Sequence, residues 1–152
     1  MAQVSSALGV LILMSWLAWA LLSAVFAAAT AILAKIGVAG IDSNFATAIR
    51  TSVVLLFTWL IAFGTSKAGS FHVASSKTWL FLVLSGLATG LSWLCYFRAL
   101  QLGPASRVAP IDKLSVALVI LFGILFFGEK LTLGKGVGGL LIVAGAIFIA
   151  LD

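Results

Sequence analysis

The sequence predicts an all-α membrane protein, five transmembrane helices forming one bundle, and three observations carry that prediction. Of its 152 residues, 63% are hydrophobic and 9% charged, whereas a soluble domain carries about 25% charged residues. The mean hydropathy is +1.28. The apolar residues fall into five long continuous stretches, and a helix crossing a hydrocarbon core of about 30 Å needs about 20 such residues. Barrel strands would instead alternate apolar and polar residues over about 10 positions, and no such alternation is present.

The expected spans are Leu8–Ile36, Phe45–Gly64, Thr78–Leu102, Ala105–Phe127 and Gly134–Leu151, within a single domain over residues 1–152. The first basic residue is Lys35, so the first stretch lacks the basic n-region of a cleaved signal and is expected to be retained. Asp42, Ser43 or Asn44 is available to cap the second helix. Residues 65–77, TSKAGSFHVASSK, form the longest polar segment and read as an exposed loop. Its His72 has no His, Cys or acidic neighbour and reads as solvated, so no metal is expected. Gly103 and Pro104 turn the chain between the third and fourth helices, and GEKLTLGK, 128–135, does the same before the fifth. Connections this short make consecutive helices antiparallel neighbours.

Small residues four apart mark close helix contacts in membranes. Gly86 and Gly90, Ala20, Ala24 and Ala28, and Gly134, Gly138 and Gly145 fit that pattern. The last helix has no polar side chain in its spanning part and is expected to face lipid or another subunit. Cys95 is the single cysteine; it permits no intrachain disulfide and reads as a packing residue.

Charges within the spans are the informative exceptions, since each is costly at bilayer depth unless paired or wetted. The segment YFRALQLGPASRVAPIDKLS, 96–115, holds Arg98, Arg107, Asp112 and Lys113. Pro110 lacks an N–H and frees a carbonyl near Ser106, so the fourth helix is expected to kink there. Irregular backbone beside charge is tolerated where it is buried in protein or lines a wet cavity. Ser85, Thr89, Ser92 and Tyr96 share one face of the third helix and fit the same cavity. Trp93 either stacks on a solute or packs in a core. Asp112 is expected to pair with Lys35, Arg50 or Arg98, while the basic residues can alternatively snorkel to head groups. Arg50, Trp93, Tyr96, Arg98, Asp112, Lys113 and Lys35 are therefore the candidate path or coupling residues. Their positive excess favours an anionic or zwitterionic solute.

With an odd number of spans the termini lie on opposite sides. Lys67, Lys77, Lys130 and Lys135 then share one side, and Lys35, Arg50, Arg98, Arg107 and Lys113 lie toward the other, four against five. The positive-inside rule needs a clear excess. Two readings stand: the chain inserts both ways, or the embedded charges count for less and the N-terminus is cytoplasmic. The basic residues are scattered singly, without the stripe that nucleic acid needs. No His/Cys cluster, carboxylate pair or activated nucleophile lies in the spans, which argues against an enzyme, and no cofactor is implied.

WALLSAVFAAATAILAKIGVAGIDSNFATAIR (19–50), GLATGLSWLCYFRALQLGPASRVAPIDKLS (86–115) and FFGEKLTLGKGVGGLLIVAGAIFIAL (126–151) resemble the EamA-type transporters of the drug/metabolite transporter superfamily. Y-F-x-A-L-x-x-G with G-E-x-L-T and a Gly-rich last helix is specific for that fold, and A-P-I-D-K-L-S resembles its half-size, five-helix bacterial and archaeal subgroup. The resemblance implies one half of a ten-helix bundle whose two halves are inverted repeats, in relatives that export amino acids and other metabolites. The small multidrug resistance proteins of the superfamily exchange protons through a glutamate of their first helix. The first helix here has no acid, which puts that chemistry in doubt, and Glu129 reads as structural, beside Lys130.

Together these features predict a transporter in the inner (plasma) membrane, an exporter of small metabolites such as amino acids. It would work by alternating access as a homodimer, antiparallel in arrangement, because transporters build their sites between inverted repeats. The competing reading is a non-transporting anchor, or a subunit of a hetero-oligomeric transporter.

Overall fold

A computed structural model gives the architecture; it describes residues 2–65 and 75–152, with side chains from Trp16 onward. Six helices follow one another: α1 Ala2–Gly37, α2 Ser43–Thr65, α3 Ser76–Leu102, α4 Ala105–Asp112, α5 Leu114–Phe127 and α6 Leu133–Leu151. Helix α1 starts at Ala2, earlier than the expected Leu8; QVSSALGV contains no proline, and its one glycine does not interrupt the helix. No strand occurs among the described residues. Helices α4 and α5 form one span, so five segments are long and apolar enough to cross a membrane: Trp16–Gly37, Ser43–Thr65, Ser76–Leu102, Ala105–Phe127 and Leu133–Leu151. His72 lies outside the described residues.

Local chemistry sets the boundaries. Asp42 is the residue that caps α2, its Oδ1 accepting from the N–H of Asn44 at 2.9 Å and of Phe45 at 3.0 Å, which satisfies donors a helix start leaves open. Ser75 and Thr132 accept likewise from Thr78 and Lys135 and begin α3 and α6. Gly128 ends α5 at φ 63, a left-handed conformation that glycine adopts without strain. Gly103 caps α3 in extended conformation.

Hydrogen bonding within the helix absorbs most of the polar groups of α2. Thr47, Thr51, Ser52, Thr58 and Thr65 each donate a hydroxyl hydrogen to a carbonyl four residues back. That is the local solution available to Ser and Thr where water is absent. Arg50 has no such solution, and this sets it apart on its own helix.

Packing is concentrated at one end of the bundle. Helices α2 and α1 lie on α3, α4 lies against α3 and α6, and α5 lies on α6. The buried cluster is Ala34, Val38, Ala46, Phe97 and Leu100, with Tyr96, Ala105 and Val108 against it. These residues come from the end of α1, the start of α2, the end of α3 and the start of α4, which all meet at the same end. Toward the other end the apolar side chains of α1, α2 and α3 point outward, as lipid or another protein surface allows.

The closed end is tied by polar contacts as well. Lys35 of α1 donates to the carbonyls of Leu100 at 2.5 Å and Gly103 at 2.9 Å. A cation is favourable at the C-terminus of a helix, where carbonyls lack partners. Gln101 of α3 donates to Ile41 O at 2.6 Å in the α1–α2 turn. Each hydrogen bond to a charged group contributes about 1.5–3 kcal/mol where the alternative is an unmet partner. Lys35→Met is therefore expected to lower the melting temperature of the purified protein by about 5 °C or more, with Lys35→Arg recovering most of it. An unchanged melting curve for Lys35→Met would mean that the lysine merely reaches toward head groups.

The small residues behave unevenly. A side chain added at Gly139 would meet Ile120 Cδ1 at 3.3 Å, so that glycine lets α6 approach α5. At Gly86, Gly90, Gly134, Gly138 and Gly145 an added Cβ would meet nothing within 4 Å. The expected close contacts of these glycines are not made among the described residues. Cys95 is likewise exposed on α3 rather than packed. Glu129 pairs with Lys135 at 2.6 Å, not with Lys130, because the turn through Gly128 folds its carboxylate back against Gly123 and toward the first turn of α6.

Candidate functional site

Four helices converge on a polar cleft of about 220 Å³ lined by Ala27, Thr30, Arg50, Ser92, Trp93, Tyr96, Asp112 and Lys113. Arg50 lies seven residues into α2 and Asp112 seven into α4, so at 1.5 Å per residue both sit about 10 Å below the closed end. In a hydrocarbon core of about 30 Å that depth is well inside the apolar region. The clustering is a consequence of register: the same distance from that end falls at Thr30 on α1 and one residue from Tyr96 on α3.

Arg50 is the centre of the cleft. Its guanidinium carbon sits 4.1 Å from the centroid of the Trp93 ring and 5.5 Å from that of Phe97. A cation over an aromatic face is held by the ring quadrupole, and the guanidinium N–H groups are of the kind that recognise carboxylate or phosphate in bidentate fashion. Among the described residues the ion pairs are Lys113 with Asp112 and Lys135 with Glu129, so no described carboxylate pairs with Arg50.

Asp112 pairs with Lys113 at 3.2 Å. This corrects the expectation of a partner among Lys35, Arg50 and Arg98. On a continuous helix adjacent residues point about 100° apart. Here α4 ends at Asp112 and α5 starts at Leu114, with Lys113 at ψ −7 between them, and that break turns the two side chains toward each other. Pro110 acts on the turn before it, where its missing N–H leaves the Ser106 carbonyl without its usual helical donor, and α4 runs on through it to Asp112. The opened backbone is satisfied locally: Lys113 N–H bonds Pro110 O at 3.0 Å, and the Ser115 hydroxyl donates to Asp112 O at 2.8 Å.

Of the seven candidates, the structure brings Arg50, Trp93, Tyr96, Asp112 and Lys113 together and separates Lys35 and Arg98 from them. Lys35 is engaged with the α3 carbonyls. Arg98 donates to Gln101 Oε1 at 3.0 Å on the outer side of α3. Thr30 was not singled out from the sequence; the signal was one hydroxyl within the run AAATAILA of α1. Ser92 joins the cleft from the polar face of α3, whereas Thr89 and Ser85 lie about one and two turns further along it.

The cleft is open on one side. The Lys113 side chain is 56% exposed and that of Asp112 38% exposed, although both sit at bilayer depth. Lipid cannot cover them at tolerable cost; protein or water must. An arrangement of an aromatic-bound cation, an ion pair, a phenol and a hydroxyl can bind a small polar solute through complementary charge.

Comparison with known proteins agrees with this geometry. The chain matches the EamA-like transporter family over residues 14–151. It is 57% identical over 136 residues to a Sinorhizobium protein described as an uncharacterized transporter in the cobO 3′ region, a match covering 90% of this chain and 96% of that one. An uncharacterized protein of Methanocaldococcus jannaschii is 29% identical over 80 residues, 53% of this chain and 58% of its own. No solved structure matches. A small-molecule solute and a lipid bilayer are therefore its partners, and the chain belongs to the EamA-like transporter family.

Proposed function

We propose that this chain exports small metabolites bearing an anionic group, such as amino acids, across the plasma membrane by alternating access, as a homodimer whose two copies are inverted. The observation that carries the solute class is Arg50 held over the Trp93 ring with no described carboxylate partner, beside the Asp112–Lys113 pair. Such a cleft offers a cation to a carboxylate and an anion to an ammonium group. An ion pair between sequence neighbours is also readily exchanged for solute, because each member reaches the same space.

The dimer is supported by the open side of the cleft and by the near-equal distribution of basic residues, four against five. A second copy, inverted, supplies the covering surface and the repeat symmetry around which transporters build their sites. The Sinorhizobium relative, 96% of which is matched, is of the same size.

Two measurements test the reading. In proteoliposomes, counterflow of radiolabelled amino acids should be saturable and mutually competitive. In intact cells, a Cys95→Ser protein carrying Ser70→Cys or Asp152→Cys should be labelled by an impermeant thiol reagent on about half the molecules at each site, since dual insertion presents both ends on both sides. Labelling at one site alone would exclude the inverted dimer. Absence of flux for every carboxylate-bearing solute, in a protein that assembles normally, would favour the anchor or subunit reading.

A further inference from the structure

A second cleft, of about 380 Å³, adjoins the first. It runs between α1 and α2, and Leu33, Ala34, Gly37, Ile41, Ala46, Ile49 and Phe97 make it apolar, while Thr30 and Arg50 belong to both clefts. The two thus meet at Arg50, whose guanidinium has no described carboxylate partner. The floor consists of Ala34, Ala46 and Phe97, which are buried, so the groove has a fixed shape where it meets Arg50.

We infer that the two clefts form one amphiphilic site, taking a carboxylate that bears an apolar substituent. This rests on the anionic reading of Arg50 and goes beyond it by assigning a specificity. The carboxylate meets Arg50, a second polar group meets Asp112, Lys113 or Tyr96, and the apolar substituent extends between α1 and α2. Charge complementarity and depth argue for a solute over a lipid. A phospholipid head group rests at the membrane surface, about 10 Å above Arg50 at 1.5 Å per helical residue, whereas a small carboxylate reaches it whole. Small-molecule sites commonly combine an apolar wall with a few placed polar groups, and burial of the substituent then discriminates among otherwise equal head groups.

The assembled protein in detergent is to be titrated calorimetrically with four probes: glycine, leucine, phenylalanine and leucinamide. Leucine and phenylalanine should bind at least about tenfold more tightly than glycine, a difference of about 1.4 kcal/mol, and leucinamide about tenfold more weakly than leucine. Gly37→Leu places a side chain in the apolar cleft where an added Cβ meets nothing within 4 Å, and it should erase leucine's advantage over glycine; Ile49→Phe fills the same space from α2 as a second variant. Equal binding of glycine and leucine, with leucinamide still weaker, would mean that an acyl chain or nothing occupies the apolar cleft, leaving the anionic reading intact. Equal binding of leucine and leucinamide would instead remove the anionic reading. A leucine advantage that survives both filling variants, or no binding of any probe at millimolar concentration, would overturn the inference.

Discussion

Asp112→Asn is expected to abolish transport, lowering flux at least about 100-fold, while leaving folded, membrane-inserted protein. Asp112 holds Lys113 at 3.2 Å, and both face the polar cleft with substantial exposure. A pair in that setting contributes little to stability, because charges that are wetted or partly exposed gain about 0–1 kcal/mol from each other. Its removal should therefore shift the melting temperature by only a few degrees. Its functional weight is larger. With Asp112 neutral, Lys113 and Arg50 confront the solute without a counter-charge, and a zwitterion loses the partner for its ammonium group. The cleft would then either hold the carboxylate too tightly or fail to reset when empty. Asp112→Glu, which keeps the charge at a longer reach, should restore measurable flux. If purified Asp112→Asn moved solute as the parent does, the pair would be structural. If the variant failed to insert, the pair would be needed for assembly, as the anchor reading expects.

Much of this fold was legible in the sequence, for physical reasons. Lipid offers no hydrogen bonds, so a spanning segment must be a continuous apolar helix, and the five stretches announced themselves by length alone. Caps were nearly as readable: Asp42 was one of three nominated residues, and Gly103 and Pro104 stand where their chemistry places them. A break was expected in the fourth span near Pro110, but it falls at Lys113, after the proline rather than before it. Composition cannot reveal that a break at Lys113 rotates two sequence neighbours into an ion pair.

What lay hidden depends on register between distant helices. Lys35 looked like a path residue because it is a charge in an apolar run; that it meets the last carbonyls of α3 follows only from how far α1 is displaced along α3. Arg98 was misleading for a related reason. Its helix face, two residues from Tyr96, turns away from the cleft toward Gln101. The hydroxyls of α2 carried an opposite lesson, since their bonds within the helix make them silent despite their number. The Gly86 and Gly90 pair was read as a helix contact and finds open space within the chain. Glycines four apart on α3 follow the face of Trp93, so a second copy that covers the open side of the cleft would approach along them.

Arg50 should prove the most sensitive single position. Arg50→Gln removes a planar cation that its own chain leaves without a described carboxylate partner, so the loss falls on solute rather than on an internal ion pair. Two charge-assisted hydrogen bonds of about 1.5–3 kcal/mol each correspond to at least about a 100-fold loss of apparent affinity at 1.4 kcal/mol per tenfold. Arg50→Lys separates charge from shape. Lysine keeps the positive charge but offers neither the bidentate fork nor the planar, delocalised cation whose centre lies 4.1 Å from the Trp93 ring centroid, so it should weaken binding about tenfold or more without abolishing it. Trp93→Phe, by retaining an aromatic face with a weaker quadrupole, should fall nearer to the parent than Arg50→Lys does. The ordering of the three variants in counterflow, Trp93→Phe above Arg50→Lys above Arg50→Gln, distinguishes recognition by a stacked fork from attraction by charge alone. Under charge attraction Arg50→Lys would match the parent and Trp93→Phe would be silent, and the assignment of Arg50 as the carboxylate-binding residue would lose its geometric basis.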